Sequence, residues 1–265
     1  EWNQVGETIQ EAGLGVALTE KGDVIALGME NNTEGGKDLC KIYKNENGTW
    51  VQKGEDIESD KSLRLFGWIE GISLSDDGNR LGISSLKERN VLIYDYEGSG
   101  WVLKHEIITS TIKPTVYLSG DGNRLLINNY SYQSEANIYE NVDGIWSLSA
   151  NQLENKIVKA ASMSKDGNAI VTIGEGDETN IYKKEGDNWV KKGNSIELEN
   201  EENKSYAYLG ISIDGNKIVL SAFAEGIINI YGWNGVDDWE MTDMPLPSAH
   251  SYRFFPVWQS MGLKN

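Results

Sequence analysis

The side chains that could do chemistry are mostly carboxylates. They cluster at Asp76-Asp77, at Asp237-Asp238 and in the run Glu175-Gly176-Asp177-Glu178. Two carboxylates held roughly 5–10 Å apart can share acid and base work at a glycosidic bond. Each of these clusters sits in a glycine-containing turn, where a solvated face is the simpler role. A second group, Glu30, Asn32, Glu34 and Asp38, lies in the loop ENNTEGGKD. It is rich in the oxygen ligands calcium takes, and its glycines would allow a tight loop. Its spacing is not that of an EF-hand loop, and Lys37 sits within it, so calcium is a candidate and a solvated loop is the alternative. No other cofactor is indicated.

Other chemistries lack their parts. His105 and His250 are the only histidines, which leaves little for a Ser-His-Asp set. Cys40 is the only cysteine, so no disulfide can form within the chain, and it reads as a small apolar residue before Ile42. There is no phosphate-binding glycine loop, dinucleotide fingerprint or zinc spacing. The sequons at Asn31, Asn47, Asn129 and Asn203 fall in predicted loops or strand ends and are candidate glycosylation sites. A net charge of −17 argues against nucleic acid and anionic membrane surfaces, both of which need a basic footprint. No apolar run reaches the ~20 residues of a spanning helix.

The elements that would position these groups repeat along the chain. Ser-x-Asp-Gly-Asn occurs with its serine at Ser75, Ser119, Ser164 and Ser212, and Thr19-Glu20-Lys21-Gly22-Asp23 is a degenerate copy. An Ile-Tyr pair follows each, at Tyr43, Tyr94, Tyr139, Tyr182 and Tyr231. A tryptophan comes next in every copy: Trp50, Trp101, Trp146, Trp189 and Trp239. Asp-Gly and Gly-Asn supply the positive φ of a tight hairpin, and the flanks are apolar over strand lengths. A second turn lies between each Tyr and Trp, such as Asn47-Gly48 or Asp143-Gly144. Four short antiparallel strands in a unit of about 45 residues are the pattern of a propeller blade.

The fold class is therefore all-β, a β-propeller of four-stranded antiparallel blades in one domain spanning 1–265. The repeats run approximately 11–57, 58–108, 109–153, 154–197 and 198–246. Residues 1–10 match the stretch after Trp50, so Trp2 begins a fourth strand and Trp2–Ile9 reads as that strand at a blade rim. With 247–265, which holds the apolar run Tyr252 to Trp258, it is expected to form a composite sixth blade. A chain trimmed from a longer propeller is the competing explanation.

The phrase Phe66-Gly67-Trp68 before GISLSDDGNRLGIS, with Ile-Tyr-x-x-x-x-Gly-x-Trp-Val after it, resembles the FG-GAP-like (integrin-α-type) repeat propellers. Trp50 to Ile57 and Tyr231-Gly232-Trp233-Asn234-Gly235 fit the same pattern, and the resemblance covers residues 1 to about 246. The calcium turn and the Gly-Ala-Pro element of that family are missing here. The resemblance implies adhesion or recognition at a surface. The expected function is a non-enzymatic recognition or assembly module, secreted or on a cell or virion surface, binding a protein partner.

Two other readings stay open. The tryptophans could form sugar platforms, as in a glycan-binding lectin, or the carboxylates could line the axis of a propeller glycosidase. Against the first, burying a Trp removes about 150–250 Å² from water, worth roughly 4–6 kcal/mol, so packing between blades competes strongly for these rings.

Overall fold

The computed structural model describes residues 3–11, 13, 15–29, 37–58, 71–85, 89–109, 114–129, 135–153, 158–174, 176, 178–197, 207–222 and 227–247. The regular elements among them are all β-strands, arranged in five antiparallel sheets. The first sheet holds Gly15–Leu18 (β1), Val24–Met29 (β2), Leu39–Glu46 (β3) and Thr49–Gln52 (β4), with Ile57–Glu58 (β5) added to β3. The second is Ile72–Leu74 (β6), Arg80–Ser85 (β7), Asn90–Glu97 (β8) and Gly100–Ile108 (β9). Pro114–Leu118 (β10), Arg124–Asn129 (β11), Asn137–Val142 (β12) and Ile145–Leu148 (β13) form the third. The fourth is Val158–Met163 (β14), Ala169–Gly174 (β15), Glu178–Glu185 (β16) and Asn188–Lys191 (β17), with Ile196–Glu197 (β18) on β16. Ala207–Ile211 (β19), Lys217–Ala222 (β20), Ile227–Trp233 (β21) and Trp239–Pro247 (β22) complete the fifth. By residue contacts the chain divides into two compact units, Glu1–Gly122 and Asn123–Asn265.

The Ser-x-Asp-Gly-Asn turn explains why strands meet where they do. Ser75 Oγ donates to Asp77 Oδ1 at 2.6 Å and accepts from the Arg80 N–H at 2.9 Å. Asp77 Oδ1 also accepts from the Asn79 N–H at 2.9 Å, and Gly78 closes the turn at φ +63°. The same bonds recur at Ser164 with Asp166 and Ala169, and at Ser212 with Asp214 and Lys217. In the degenerate copy Thr19 Oγ1 donates to Asp23 Oδ1 at 2.7 Å and accepts from the Val24 N–H at 3.1 Å. The carboxylate has moved along the turn, but the circuit is kept. The buried hydroxyls of these turns, Thr19, Ser75, Ser164 and Ser212, are thus paired locally.

The second turn is of the kind that needs two residues in the left-handed region. Asn47 and Gly48 have φ 55° and 95°, and Asp143 and Gly144 have 52° and 84°. This matches the twist of the strands they join.

In the first unit Ala26, Ile42, Ile72, Leu74, Leu81 and Ile83 make one buried apolar cluster. In the second, Val171, Ile181, Ile218 and Leu220 do the same, with Trp239 against them. One expectation needs correction. Among the described residues Asn3 to Gln10 form no strand; instead Gly6 turns at φ +76°, where a Cβ would lie 2.7 Å from the Gly48 carbonyl and 3.0 Å from the Trp50 indole nitrogen. The positive φ at Gly6 breaks the extended conformation that a rim strand requires. Trp2 and the 251–259 segment of the expected sixth blade lie outside the described residues.

Candidate functional site

The two ends of the sheets differ. One end carries the self-contained Ser-x-Asp-Gly-Asn turns. The other is where β2 leads to β3, β7 to β8, and β15 to β16, and it holds polar side chains that the strands bury.

In the first unit these are Asp38, Ser84, Ser85 and Asn90, all nearly inaccessible. Asn90 begins β8 opposite Ser85, and its Nδ2 donates to Glu106 Oε1 at 2.5 Å. Its Oδ1 is buried with no protein partner. In the second unit Thr172 faces Asn180 across β15 and β16, and both are buried. Ser195 Oγ donates to Asn180 Oδ1 at 2.9 Å and accepts from Lys191 Nζ at 2.7 Å. Thr179 Oγ1 is buried and has no protein partner. An unpaired polar atom in such a place costs about 1–3 kcal/mol, which a hydroxylated ligand or water can recover.

The Lys191–Ser195 contact is not a serine–lysine catalytic dyad. The equivalent pair in the first sheet is Gln52 and Asp56, joined Nε2 to Oδ1 at 2.7 Å. The same span is bridged with different chemistry, so the bridge shapes the chain after the fourth strand.

A second recurrent cluster lies at the outer strands, and the sequence reading missed it. Lys53 follows β4. Its Nζ donates to Asn79 Oδ1 at 2.7 Å, lies 4.6 Å over the Tyr96 ring and 5.6 Å from that of Trp101. Lys192 follows β17 in the same way. Its Nζ donates to Asn216 Oδ1 at 3.0 Å, lies 4.1 Å over the Trp233 ring and 5.3 Å from that of Trp239. Both lysines come three residues after their own tryptophan and one before a glycine of positive φ, Gly54 or Gly193. Burial pushes the Lys53 amine down. For Lys192, burial and the neighbouring Lys183 charge together push it down to about 8. The signal that could have revealed this is the repeated Trp-Val-x-Lys-Gly, with an aromatic residue two past the Tyr of the next copy.

The predicted site residues fare unevenly. Glu30, Asn32 and Glu34 of the calcium loop, and the sequons at Asn31 and Asn203, lie outside the described residues. Asp38 is buried. No cluster of three or more His, Cys, Asp or Glu suited to a metal occurs among the described residues. Asn47 is exposed at the tip of the β3–β4 turn, and Asn129 ends β11. Cys40 is fully buried, and burial raises its thiol far above the usual range, so it is no nucleophile. Trp146, Trp189 and Trp239 are buried, and Trp101 spends its indole N–H on the Lys53 carbonyl at 2.8 Å. These rings pack against the chain, which removes the lectin reading.

No family model matches the chain, and no curated protein matches it. Solved structures do. One from Bacteroides uniformis, described as a candidate 6-phosphogluconolactonase, superposes with TM-score 0.65 over 92% of this chain and 74% of its own, at 12% identity. A Lactobacillus plantarum protein gives 0.61 over 88% and 70%, at 11% identity. The periplasmic gluconolactonase of Pseudomonas aeruginosa gives 0.59 over 86% and 70%, at 11% identity.

With five antiparallel sheets among the described residues, each built on four consecutive strands, the chain is a β-propeller of antiparallel blades. These likenesses correct the FG-GAP assignment and the adhesion role drawn from it. There is a physical reason the integrin pattern fails: in the turns that would hold calcium, the carboxylates are committed to Ser Oγ and Asn N–H. The expectation of a non-enzymatic module is corrected with it, since two of the three similar structures carry the names of lactonases.

Proposed function

We propose that the chain is a propeller enzyme that opens a sugar-derived lactone. The reading is carried by the extent of the likeness to the two lactonase-named structures, which spans 92% and 86% of the chain. The chain's own chemistry is compatible with it. At the end of the sheets away from the Ser-x-Asp-Gly-Asn turns, Asn90 Oδ1 in one unit and Thr179 Oγ1 in the other are buried acceptors without protein partners. Taken separately, each within its own unit, either atom suits a ligand hydroxyl. Hydrolysis of a lactone needs water added to the carbonyl and a proton delivered to the ring oxygen; it demands no redox step.

Charge distinguishes the two substrate types. A chain of net charge −17 repels a phosphate dianion over several ångströms and leaves a neutral ring unaffected. The preferred substrate is accordingly an unphosphorylated aldonolactone. The test is the rate of δ-gluconolactone and 6-phosphogluconolactone opening by the full chain at pH 6.5, corrected for spontaneous hydrolysis. The expected result is acceleration of both or of the neutral lactone alone, with the neutral lactone favoured more strongly at low salt. Opening of neither lactone faster than in buffer would overturn the proposal.

A further inference from the structure

Lys192 and Lys183 place their Nζ atoms on the same acceptor. Each lies 3.0 Å from Asn216 Oδ1. Lys183 also donates to the Asp214 carbonyl at 3.2 Å. Two ammonium groups on one amide oxygen repel each other, and the less solvated one gives up its proton more readily. Lys192 is that one, because it packs over the Trp233 ring at 4.1 Å and beside Trp239 at 5.3 Å. The counter-charge is limited. Asp214 attracts the proton back, but its carboxylate is already engaged by Ser212 Oγ and by Asn216. The next carboxylate along, Asp238, is held by the Asn194 side chain and the Trp239 N–H.

The other lysine of this type, Lys53, separates cause from setting. It has the aromatic pair and the asparagine, but its two polar contacts are the Gly78 carbonyl and Asn79 Oδ1 rather than an oxygen shared with a second lysine. The shared acceptor is thus particular to Lys192.

We propose that Lys192 is an acylation site, an amine that takes up acyl groups from sugar lactones and other small activated acyl compounds. The step balances without a further reactant. Lys192 Nζ, in its neutral form, attacks the lactone carbonyl carbon. The new N–C bond forms, the ring C–O bond breaks, and the proton from nitrogen passes to the released hydroxyl oxygen. The product is a stable amide bearing the opened sugar acid. A lysine becomes a nucleophile when desolvated or placed beside another cation, and both conditions hold here.

The expected preference can be estimated. With the amine near 8, roughly a fifth is neutral at pH 7.4, against about one in a thousand for an ordinary lysine. Lower basicity reduces intrinsic nucleophilicity and, at a Brønsted slope of about 0.5, cancels about a factor of fifteen of that gain. A net advantage of about tenfold remains. The choice of lactone as acyl donor rests on the function proposed above; the nucleophile does not.

The test uses the full chain with two probes, δ-gluconolactone and acetic anhydride, each at low conversion and pH 7.4, followed by peptide mass mapping. Lys192 should label about tenfold faster per residue than the exposed Lys21 and Lys44. Replacing Lys183 with Gln should slow Lys192 labelling several-fold by both probes. Labelling of Lys192 no faster than Lys21, or a rate unchanged by Lys183→Gln, overturns the proposal. A chain that opens no lactone catalytically but labels at Lys192 with both probes leaves this inference standing and sinks only the enzymatic reading.

Discussion

The indole N–H of Trp101 ends on the main-chain oxygen of Lys53, 2.8 Å away and one repeat back along the chain. Trp239 makes the same bond to the carbonyl of Lys192 at 2.9 Å. Trp189 does not: its Nε1 is buried with no protein partner. Its counterpart acceptor in the preceding repeat would be Ser149, whose N–H bonds to Ile138 as Lys53 bonds to Ile42 and Lys192 to Ile181.

That difference sets a mutational contrast. Trp→Phe at 101 or 239 strands a carbonyl, whereas Trp189→Phe removes a donor that was already unpaired. Lost ring area is common to all three. Trp101→Phe and Trp239→Phe should each cost about 1–2 kcal/mol more than Trp189→Phe, measured by urea denaturation. Equal costs at all three positions would show that the indole–carbonyl bond contributes nothing.

The glycines before the tryptophan contacts give a second contrast. A Cβ on Gly193 would lie 2.9 Å from Trp233 and 3.0 Å from Trp239, at φ +75°. On Gly98, at φ +63°, it would meet nothing within 4 Å. Both alanine variants carry the left-handed penalty of about 1–2 kcal/mol. Gly193→Ala should be the more destabilising by a further 1–3 kcal/mol, because a ring must move. Thermal unfolding of the two variants side by side checks this.

Acid stability should depend on the Ser-x-Asp-Gly-Asn turns. Burial alone would raise the carboxyls of Asp77 and Asp214, but hydrogen bonds from Ser75 and Asn79, and from Ser212 and Asn216, outweigh it and hold both below the usual range. A folded-state value below the unfolded one gives stability that is full above about pH 4 and lost as pH falls through the folded value. Asp77→Asn together with Asp214→Asn should therefore lower stability at pH 6 and flatten its decline between about pH 4 and 2. A decline of unchanged steepness in the double variant would assign acid sensitivity to other carboxylates.

The Lys192 amine acts at the opposite end of the scale, and its slope has the same sign. Its folded value of about 8 lies below that of the unfolded chain, so the unfolded state binds more protons between about pH 8 and 10. This contribution to stability rises with pH across that window. Lys192→Met should remove the rise while keeping much of the stem's contact with Trp233 and Trp239. Denaturation midpoints at pH 7.5 and 9.5 for the two proteins give the comparison.

The architecture was legible because its turns are chemically demanding. Only a few residues accept the positive φ of Gly78 or Asn47-Gly48, so their spacing marks hairpins and their recurrence marks blades. The candidate site was much less legible. Asn90 and Thr179 owe their interest to being buried without a partner, and burial of one atom is a property of the packed sheet. Trp-Val-Gln-Lys-Gly and Trp-Val-Lys-Lys-Gly were visible as repeats. That the lysine reaches Tyr96 or Trp233 in the following blade depends on a contact 41 or more residues away, which periodicity does not report. The match of Trp2-Asn3-Gln4-Val5-Gly6 to the stretch after Trp50 misled for a related reason. It preserves the glycine bend against a tryptophan, at Gly6 and Trp50, while the strand before that bend is not formed among the described residues.

The unpaired indole of Trp189 has a consequence for how the second unit opens. The link between Lys192 and Trp239 is doubled, by a carbonyl bond and a half-buried amine, while the step from Ser149 to Trp189 lacks the carbonyl bond. Cooperative segments separate where their mutual ties are fewest. The outer strand β13 of the third sheet should then exchange its amide protons ahead of the fourth and fifth sheets, while β12 stays tied to β16 through the Glu140–Lys184 ion pair at 3.1 Å. A molecule assembled from near-identical repeats would in this way acquire an order of disassembly that no single repeat encodes.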